Sequence, residues 1–423
     1  MSNPTLNVSQ MANGLVGSEI IKIANEVNDM KREGHDICNL TIGDFDSSHY
    51  PIPKSLEEGI IDAYKKGLTN YPPAHGLLNL RKSISEFLFK NLGLTYSHDD
   101  ILIAGGSRPL IYATYLALVD QGDTVIYPAP SWNNNHYCHL SGARGIALDA
   151  NPENNFMPTP EDIKPHLSEA TLIALCSPLN PTGTVFSKEG LKEICEMVVA
   201  ENKTRAYNQK PLYIMYDQVY WQLTFGDTEH HDPVSLVPEI KDFVIYVDGI
   251  SKAFAATGVR VGWAFGPEPV LRKMRSILGH IGAWSPKAEQ HATAEFLKNT
   301  ESLDAYMSDF KSKLESSLDN LYKGINAMRS AEMDVEAIVP MGAIYLTAKF
   351  EVLGKTTPGG KILITNKDVA SYILREAKIA IVPFSAFGAS DSSCWFRLSV
   401  GGCSPEEIQR ALPRLKDALD KLK

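Results

Sequence analysis

The segments LYIMYD (Leu212–Asp217) and FVIYVDGISK (Phe243–Lys252) decide how this chain is read. Each is a short apolar run, rich in β-branched and aromatic residues, that stops at a polar or small residue. Such a run fits a strand buried on both faces. The pattern recurs at Ile101–Ala104, Thr124–Tyr127, Leu172–Cys176 and Val261–Phe265. Between some of these runs the period becomes helical: Ser187 has the form of an N-cap, followed by Leu191, Ile194, Val198 and Val199. Buried strands alternating with helices predict an α/β domain with a mostly parallel sheet. Ligands of such sheets sit beyond the carboxyl ends of the strands, so the residues just after each apolar run are the first candidates for function.

Toward the C-terminus the pattern changes. Leu303, Met307, Phe310, Leu314, Leu318, Leu321, Ile325 and Met328 repeat every three or four residues and predict one long helix over about Ser302–Met328. From Glu332 onward strands are expected at Ala343–Phe350, Ile379–Val382 and Phe396–Val400. A last helix begins at the capping box Ser404/Glu407 with Pro405 at its first position, and Pro413 predicts a kink in it. This part reads as a smaller α+β domain joined by the N-terminal segment. The expected division is 51–300 for the large domain, and 1–50 with 301–423 for the small one.

Length and charge narrow the function. The 423 residues suggest two domains. A balance of 41 Lys+Arg against 50 Asp+Glu, net −9, argues against a nucleic-acid partner. No apolar run approaches the roughly 20 residues of a membrane helix, and MSNPTLNVSQMANG lacks the form of an export signal. Cys38, Cys138, Cys176, Cys195, Cys394 and Cys403 are scattered, without zinc-like spacing, so the reading is a cytoplasmic protein without a metal site. The pairs His136/His139 and His230/His231 read as loop histidines rather than ligands.

The strand ends carry the chemistry. Asp217 follows LYIMY, and a carboxylate there needs a cation or several donors. Tyr220 comes three residues later. Ser251 and Lys252 follow FVIYVDGI, and a lysine entering a crevice suits a Schiff-base nucleophile. Arg260 is a fixed cation suited to phosphate. Gly105-Gly106-Ser107-Arg108 leads into a helical pattern from about Pro109, and a helix start with small residues is an anion site. Trp132 follows another strand and can stack on a flat ring, and Asn180 lies in the turn SPLNPTG. Each residue alone is most simply a turn, surface or core residue. Together they form the inventory of a pyridoxal-phosphate site. No G-x-G-x-x-G follows a strand, and Gly359-Gly360-Lys361 lacks the rest of a P-loop.

The segment GISKAFAATGVRVG (Gly249–Gly262) resembles the lysine-attachment signature of class I/II aminotransferases. It is accompanied in order by GDFD (Gly43–Asp46), NYPPAHG (Asn70–Gly76), AGGS (Ala104–Ser107), NPTG (Asn180–Gly183), YDQVY (Tyr216–Tyr220), PMGAIY (Pro340–Tyr345) and FRLS (Phe396–Ser399). The chain is similar, over nearly its whole length, to the aspartate aminotransferase superfamily of fold type I. That resemblance implies a mostly parallel seven-stranded sheet and a pyridoxal 5'-phosphate cofactor. Lys252 would hold the cofactor and then shuttle the substrate proton, Asp217 would keep the pyridine nitrogen protonated, and Asn180 and Tyr220 would bond the ring oxygen. Trp132 would stack on the ring. Arg260, Gly106, Ser107, Arg108 and Ser251 would hold the phosphate. Tyr71 would reach the phosphate of a neighbouring subunit, which implies a homodimer with shared active sites. Arg397 would clamp the substrate α-carboxylate, with the backbone near Gly43 closing over it.

Departures from the pattern bear on specificity. Gly249 stands where many relatives carry a phosphate-binding serine. Ser107 stands where one subgroup carries a lysine for a distal carboxylate, and Arg108 is the nearest substitute. Asn133, Asn134 and Asn135 either line a polar pocket or form a turn and helix start, the turn being preferred. The expected activity is amino-group exchange between an L-amino acid, aspartate or aromatic, and a 2-oxo acid such as 2-oxoglutarate. The rival readings are an eliminating lyase on the same scaffold and a non-catalytic sensor of the cofactor or an amino acid.

Overall fold

The computed structural model describes residues 8–15, 17, 19–330 and 333–423. The first seven residues of the N-terminal stretch, and Glu332, from which the C-terminal part is counted, therefore lie outside the described residues. Strand β1 (Cys38–Asn39) comes first. The central strands follow as β2 (Ile101–Ala104), β3 (Thr124–Ala129), β4 (Arg144–Asp149), β5 (Ala170–Cys176), β6 (Tyr213–Asp217), β7 (Val244–Gly249) and β8 (Gly262–Phe265). They form a seven-stranded sheet in the order β2-β8-β7-β6-β5-β3-β4. All neighbours are parallel except β8, which runs antiparallel to β2 and β7. This is the α/β architecture that the sequence predicts.

Strand alternation sorts the apolar side chains into two layers. Ile173, Leu175, Ile214, Tyr216, Val244 and Tyr246 pack on one face with the helices Leu78–Leu92, Lys188–Thr204 and Lys287–Lys298. Leu172, Ala174, Met215, Ile245 and Val247 pack on the other with Ser107–Leu118 and Glu268–Ile281. The strands are apolar throughout because both faces are covered. The edge strand β4 buries only Leu148, and its sequence RGIALD lacks the continuous apolar run that marks the inner strands.

A second core lies against a smaller sheet of β9 (Val335–Ala337), β10 (Tyr345–Phe350), β12 (Val382–Pro383) and β13 (Trp395–Ser399), with β11 (Ile379–Ala380) pairing β1 in parallel. Its helices are Thr300–Asn326, Asn366–Ala377 and Pro405–Asp420. Two expectations need adjusting. The strand expected from Ala343 begins at Tyr345, because Ala343 turns the chain at φ 60°. The strand expected over Ile379–Val382 divides, β11 meeting β1 and β12 meeting β13. The last helix, Pro405–Asp420, opens on the expected capping box of Ser404 and Glu407 and carries Pro413 inside it. Among the described residues no helix is long and apolar enough to cross a membrane.

Candidate active site

The parallel register brings the ends of β6 and β7 side by side, with Asp217 paired to Val247. β7 ends at Gly249, and the short helix Ile250–Ala253 that follows carries Ser251 and Lys252. A cavity of about 690 Å³ opens beyond these strand ends. Its walls bring together Gly43, Ser107, Arg108, Trp132, Asn180, Asp217, Tyr220, Lys252 and Arg397. These residues are separated by up to hundreds of positions in the chain. Asn133 and Asn134 also reach it. Asn134 opens the helix Asn134–Ser141, accepts from the Tyr115 hydroxyl and donates to Ser131 Oγ, so the helix-start reading holds for it.

Lys252 Nζ donates to Gly43 O at 2.5 Å and lies 5.9 Å from the centre of the Tyr220 ring. Burial lowers its pKa to about 8, with Arg397, Arg108 and Arg260 pressing the same way and Asp44 opposing. Asp217 accepts from Val219 N at 3.1 Å, and burial pushes its carboxyl up to about 6. Tyr220 and Tyr345 share a 2.6 Å hydroxyl contact, and burial raises Tyr220 well above the ordinary phenol value. Arg397 is 1% exposed. It donates to Asn180 Oδ1 at 3.0 Å and Thr41 O at 2.5 Å, lies between the rings of Tyr345 and Phe387, and keeps a buried Nε without a partner.

At the other end, helix Ser107–Leu118 begins two residues earlier than the sequence suggests. Gly106 makes this possible at φ 94°, and a Cβ there would run into the Arg260 guanidinium. Arg260, at φ 63°, donates to Thr257 O at 2.6 Å and Gly105 O at 2.7 Å, which aims it at the helix start. Arg108 stacks over Trp132 at 5.2 Å. Tyr71 is elsewhere: it is 80% exposed, packs edge-on against Trp284, and lines a second cavity of about 590 Å³. His139 bonds Met11 O, and His230 packs beside Tyr216 and Trp221. Among the described residues no group of three His, Cys, Asp or Glu side chains is placed to hold a metal.

This donor set fits pyridoxal phosphate. A cationic, glycine-lined helix start suits a phosphate, a buried carboxyl suits a protonated ring nitrogen, and an amine that is easily deprotonated suits an aldehyde. Sequence reasoning missed Asp44, Thr41 and Tyr345 as wall and support residues. Asp44 Oδ1 accepts from Thr257 Oγ1 at 2.5 Å and faces Lys252. No local periodicity marks it, because a loop residue brought in by tertiary contact has no spacing signal.

Residues 35–415 match the family model for aminotransferase class I and II. The chain is 29% identical over 408 residues to an aspartate aminotransferase of Rhizobium meliloti, covering 96% of this chain and 94% of that protein. It is 28% identical over 407 residues to a probable aspartate/prephenate aminotransferase of Aquifex aeolicus, covering 96% of each. The crystal structure of the aspartate aminotransferase from Rhizobium meliloti superposes with a TM-score of 0.90 at 28% identity, over 99% of this chain and 100% of that one. An aromatic aminotransferase from Pyrococcus horikoshii gives 0.81 at 26% identity, over 93% and 98%.

Proposed function

The chain belongs to the class I and II aminotransferase family and is a pyridoxal-phosphate-dependent aminotransferase; from that premise we propose which residues do the work and which substrates they take. The observation that carries the assignment of roles is the convergence of Lys252, Asp217, Arg397 and the Gly106–Ser107 helix start on one cavity. When bound, pyridoxal phosphate supplies an electron sink that makes the α-proton of an amino acid labile. Arg260, Ser107, Arg108 and Ser251, with the backbone at Gly106, would hold its phosphate. Trp132 would cover one face of the ring, Asp217 would meet its nitrogen, and Asn180 and Tyr220 would meet its ring oxygen.

Arg397 receives the substrate α-carboxylate, its guanidinium held flat by Asn180 and Thr41 and screened from water by two rings. Lys252, neutral above about pH 8, takes the α-proton at Nζ and returns it, acting as base and then acid. Gly43 O and Asp44 orient the amine between these tasks.

For the donor we propose aspartate or an aromatic amino acid, with 2-oxoglutarate as acceptor. Arg108 lines the cavity over Trp132 and forms no hydrogen bond or ion pair among the described residues, so besides its part in holding the phosphate its guanidinium has N–H donors to offer a distal carboxylate. Ile21, Ile42 and Leu15, partly exposed at the same mouth, suit an aromatic ring. We propose a homodimer joined across the Tyr71 face, because Trp284 Nε1, Ser285 Oγ and Glu289 Oε2 are buried there without a partner. We also read 51–300 as the cofactor-binding unit and 1–50 with 301–423 as the second, and the six free thiols support a cytoplasmic setting. Mixing the loaded protein with each of the twenty amino acids, and following the cofactor's absorption band, tests the reading. Fast bleaching by aspartate or aromatic residues supports it, and ammonia release without an acceptor overturns it in favour of elimination.

A further inference from the structure

Beside the residues already given roles lies a buried carboxyl that no step uses. Asp248, the penultimate residue of β7, is 1% exposed and forms no ion pair among the described residues. Its Oδ1 accepts from Gly249 N at 2.7 Å, and its Oδ2 accepts from the Trp221 indole N–H at 2.9 Å. Gln218 Nε2 approaches the same oxygen at 3.5 Å. Gln218 is fully buried, and its Oε1 has no partner. Gln218 directly follows Asp217, Trp221 directly follows Tyr220, and Gly249 opens the turn that carries Ser251 and Lys252. The backbone zips the two exits once more, through Gln218 N to Val247 O at 2.9 Å. One side chain therefore touches both strand exits.

A buried carboxyl without a cation is costly unless it is hydrogen-bonded or neutral. Burial pushes Asp248 up to about 8, and the three donors offset only part of that. The orphaned Gln218 oxygen has the same origin. The two ends of a glutamine amide can exchange places, and in the turned amide Oε1 faces Asp248 Oδ2, where a protonated carboxyl donates to it. A carboxyl opposite a carboxamide is thus satisfied in either protonation state. Two carboxyls there are satisfied only while they share a proton, and once both are ionised they repel each other and Asp217.

We propose that Asp248 and Gln218 form a positioning pair that fixes Asp217 and Tyr220, on one strand exit, relative to Lys252 on the next. This rests on the roles proposed above for Lys252 and Asp217, and it adds two residues that touch neither substrate nor cofactor. The pair is defined by complementarity, so exchanging its members preserves it. The test compares holoenzymes of the wild type, Gln218→Glu, the exchanged double variant Gln218→Glu/Asp248→Asn, Asp248→Ala and Asp248→Asn. The readouts are kcat, KM and the position of the cofactor's visible band.

Displacing a reacting group by a fraction of an ångström to 1 Å lowers kcat by roughly 10- to 100-fold. Gln218→Glu and Asp248→Ala are expected to lose kcat in that range, with KM changed by less than about threefold and the band shifted. The exchanged double variant is expected to return to within about threefold of the wild type, and Asp248→Asn to recover most of what Asp248→Ala loses. Wild-type kcat in Gln218→Glu overturns the proposal, as does a double variant no better than the single. A change confined to melting temperature, with kcat and spectrum intact, also overturns it, since that is the mark of a merely structural role. Failure of the wild type itself to transaminate would instead refute the function on which the pair rests.

Discussion

Lys252 gives the sharpest quantitative handle on the site. Only a neutral amine attacks an aldehyde, so the rate at which apoprotein captures pyridoxal phosphate follows the deprotonated fraction. Burial sets the pKa near 8 instead of the ordinary 10.5. At pH 7 an amine titrating near 8 is about 9% neutral and one near 10.5 about 0.03%, an advantage of about 300-fold, or about 3.4 kcal/mol. The assay is stopped-flow mixing of apoprotein with pyridoxal phosphate across about pH 6 to about pH 10, following the rise of the visible band. The capture rate is expected to climb about tenfold per pH unit and level off near pH 8. The causes of the shift predict the direction of two variants. Asp44 raises the pKa, so Asp44→Asn moves the plateau to lower pH, and Arg108 lowers it, so Arg108→Gln moves the plateau to higher pH. A midpoint near the ordinary lysine value, or Asp44→Asn shifting it upward, refutes the reasoning.

Because the folded pKa of Lys252 lies below its unfolded value, protonating it opposes folding at pH below about 8, and the penalty fades as pH rises toward 10.5. Lys252→Met should therefore stabilise the apoprotein at pH 7 by at most about 3 kcal/mol, with no gain above about pH 11, as read by urea denaturation at the two pH values. Arg397→Ala should lower kcat/KM by about 2–5 kcal/mol for every α-amino acid, since it removes one partner of a buried ion pair, while amines lacking the carboxylate change little; equal losses for both would contradict the clamp. Gly106→Ala places a methyl against the Arg260 guanidinium at a positive φ, so cofactor affinity should fall by roughly 10-fold or more, measured by equilibrium titration of the visible band. Tyr71→Ala should weaken cofactor retention only in the dimer, and mixing it with Lys252→Ala protomers should restore one functional site per hybrid.

The central sheet was legible because its strands are covered on both faces. LYIMYD and FVIYVDGISK have no polar alternation to mislead a reader, and the residues after them are the ones that meet in the cavity. Where that condition fails, legibility fails with it. The exposed edge strand β4 is not marked by an apolar run, and Ala343 and Ile381 look like strand residues by composition but sit at a turn and a break that tertiary pairing imposes. The site divides in the same way. Lys252, Asp217 and Arg260 announce themselves by chemistry at strand ends. Asp44, Thr41 and Tyr345 do not, because their importance comes from contacts with Lys252, Thr257, Arg397 and Tyr220 that bridge 125 to 356 residues of sequence. Asp248 and Gln218 are silent for another reason: an acidic residue at the end of an apolar run looks like a turn, and only burial with its donors distinguishes it.

The central claim is that one amine holds the cofactor. Borohydride reduction of the loaded protein, followed by proteolysis and mass spectrometry of the peptides, tests it most directly. The account predicts a stable pyridoxyl label on the peptide containing Lys252 and nowhere else, lost in Lys252→Ala. A label on another lysine, or none on a protein that still transaminates, would contradict it.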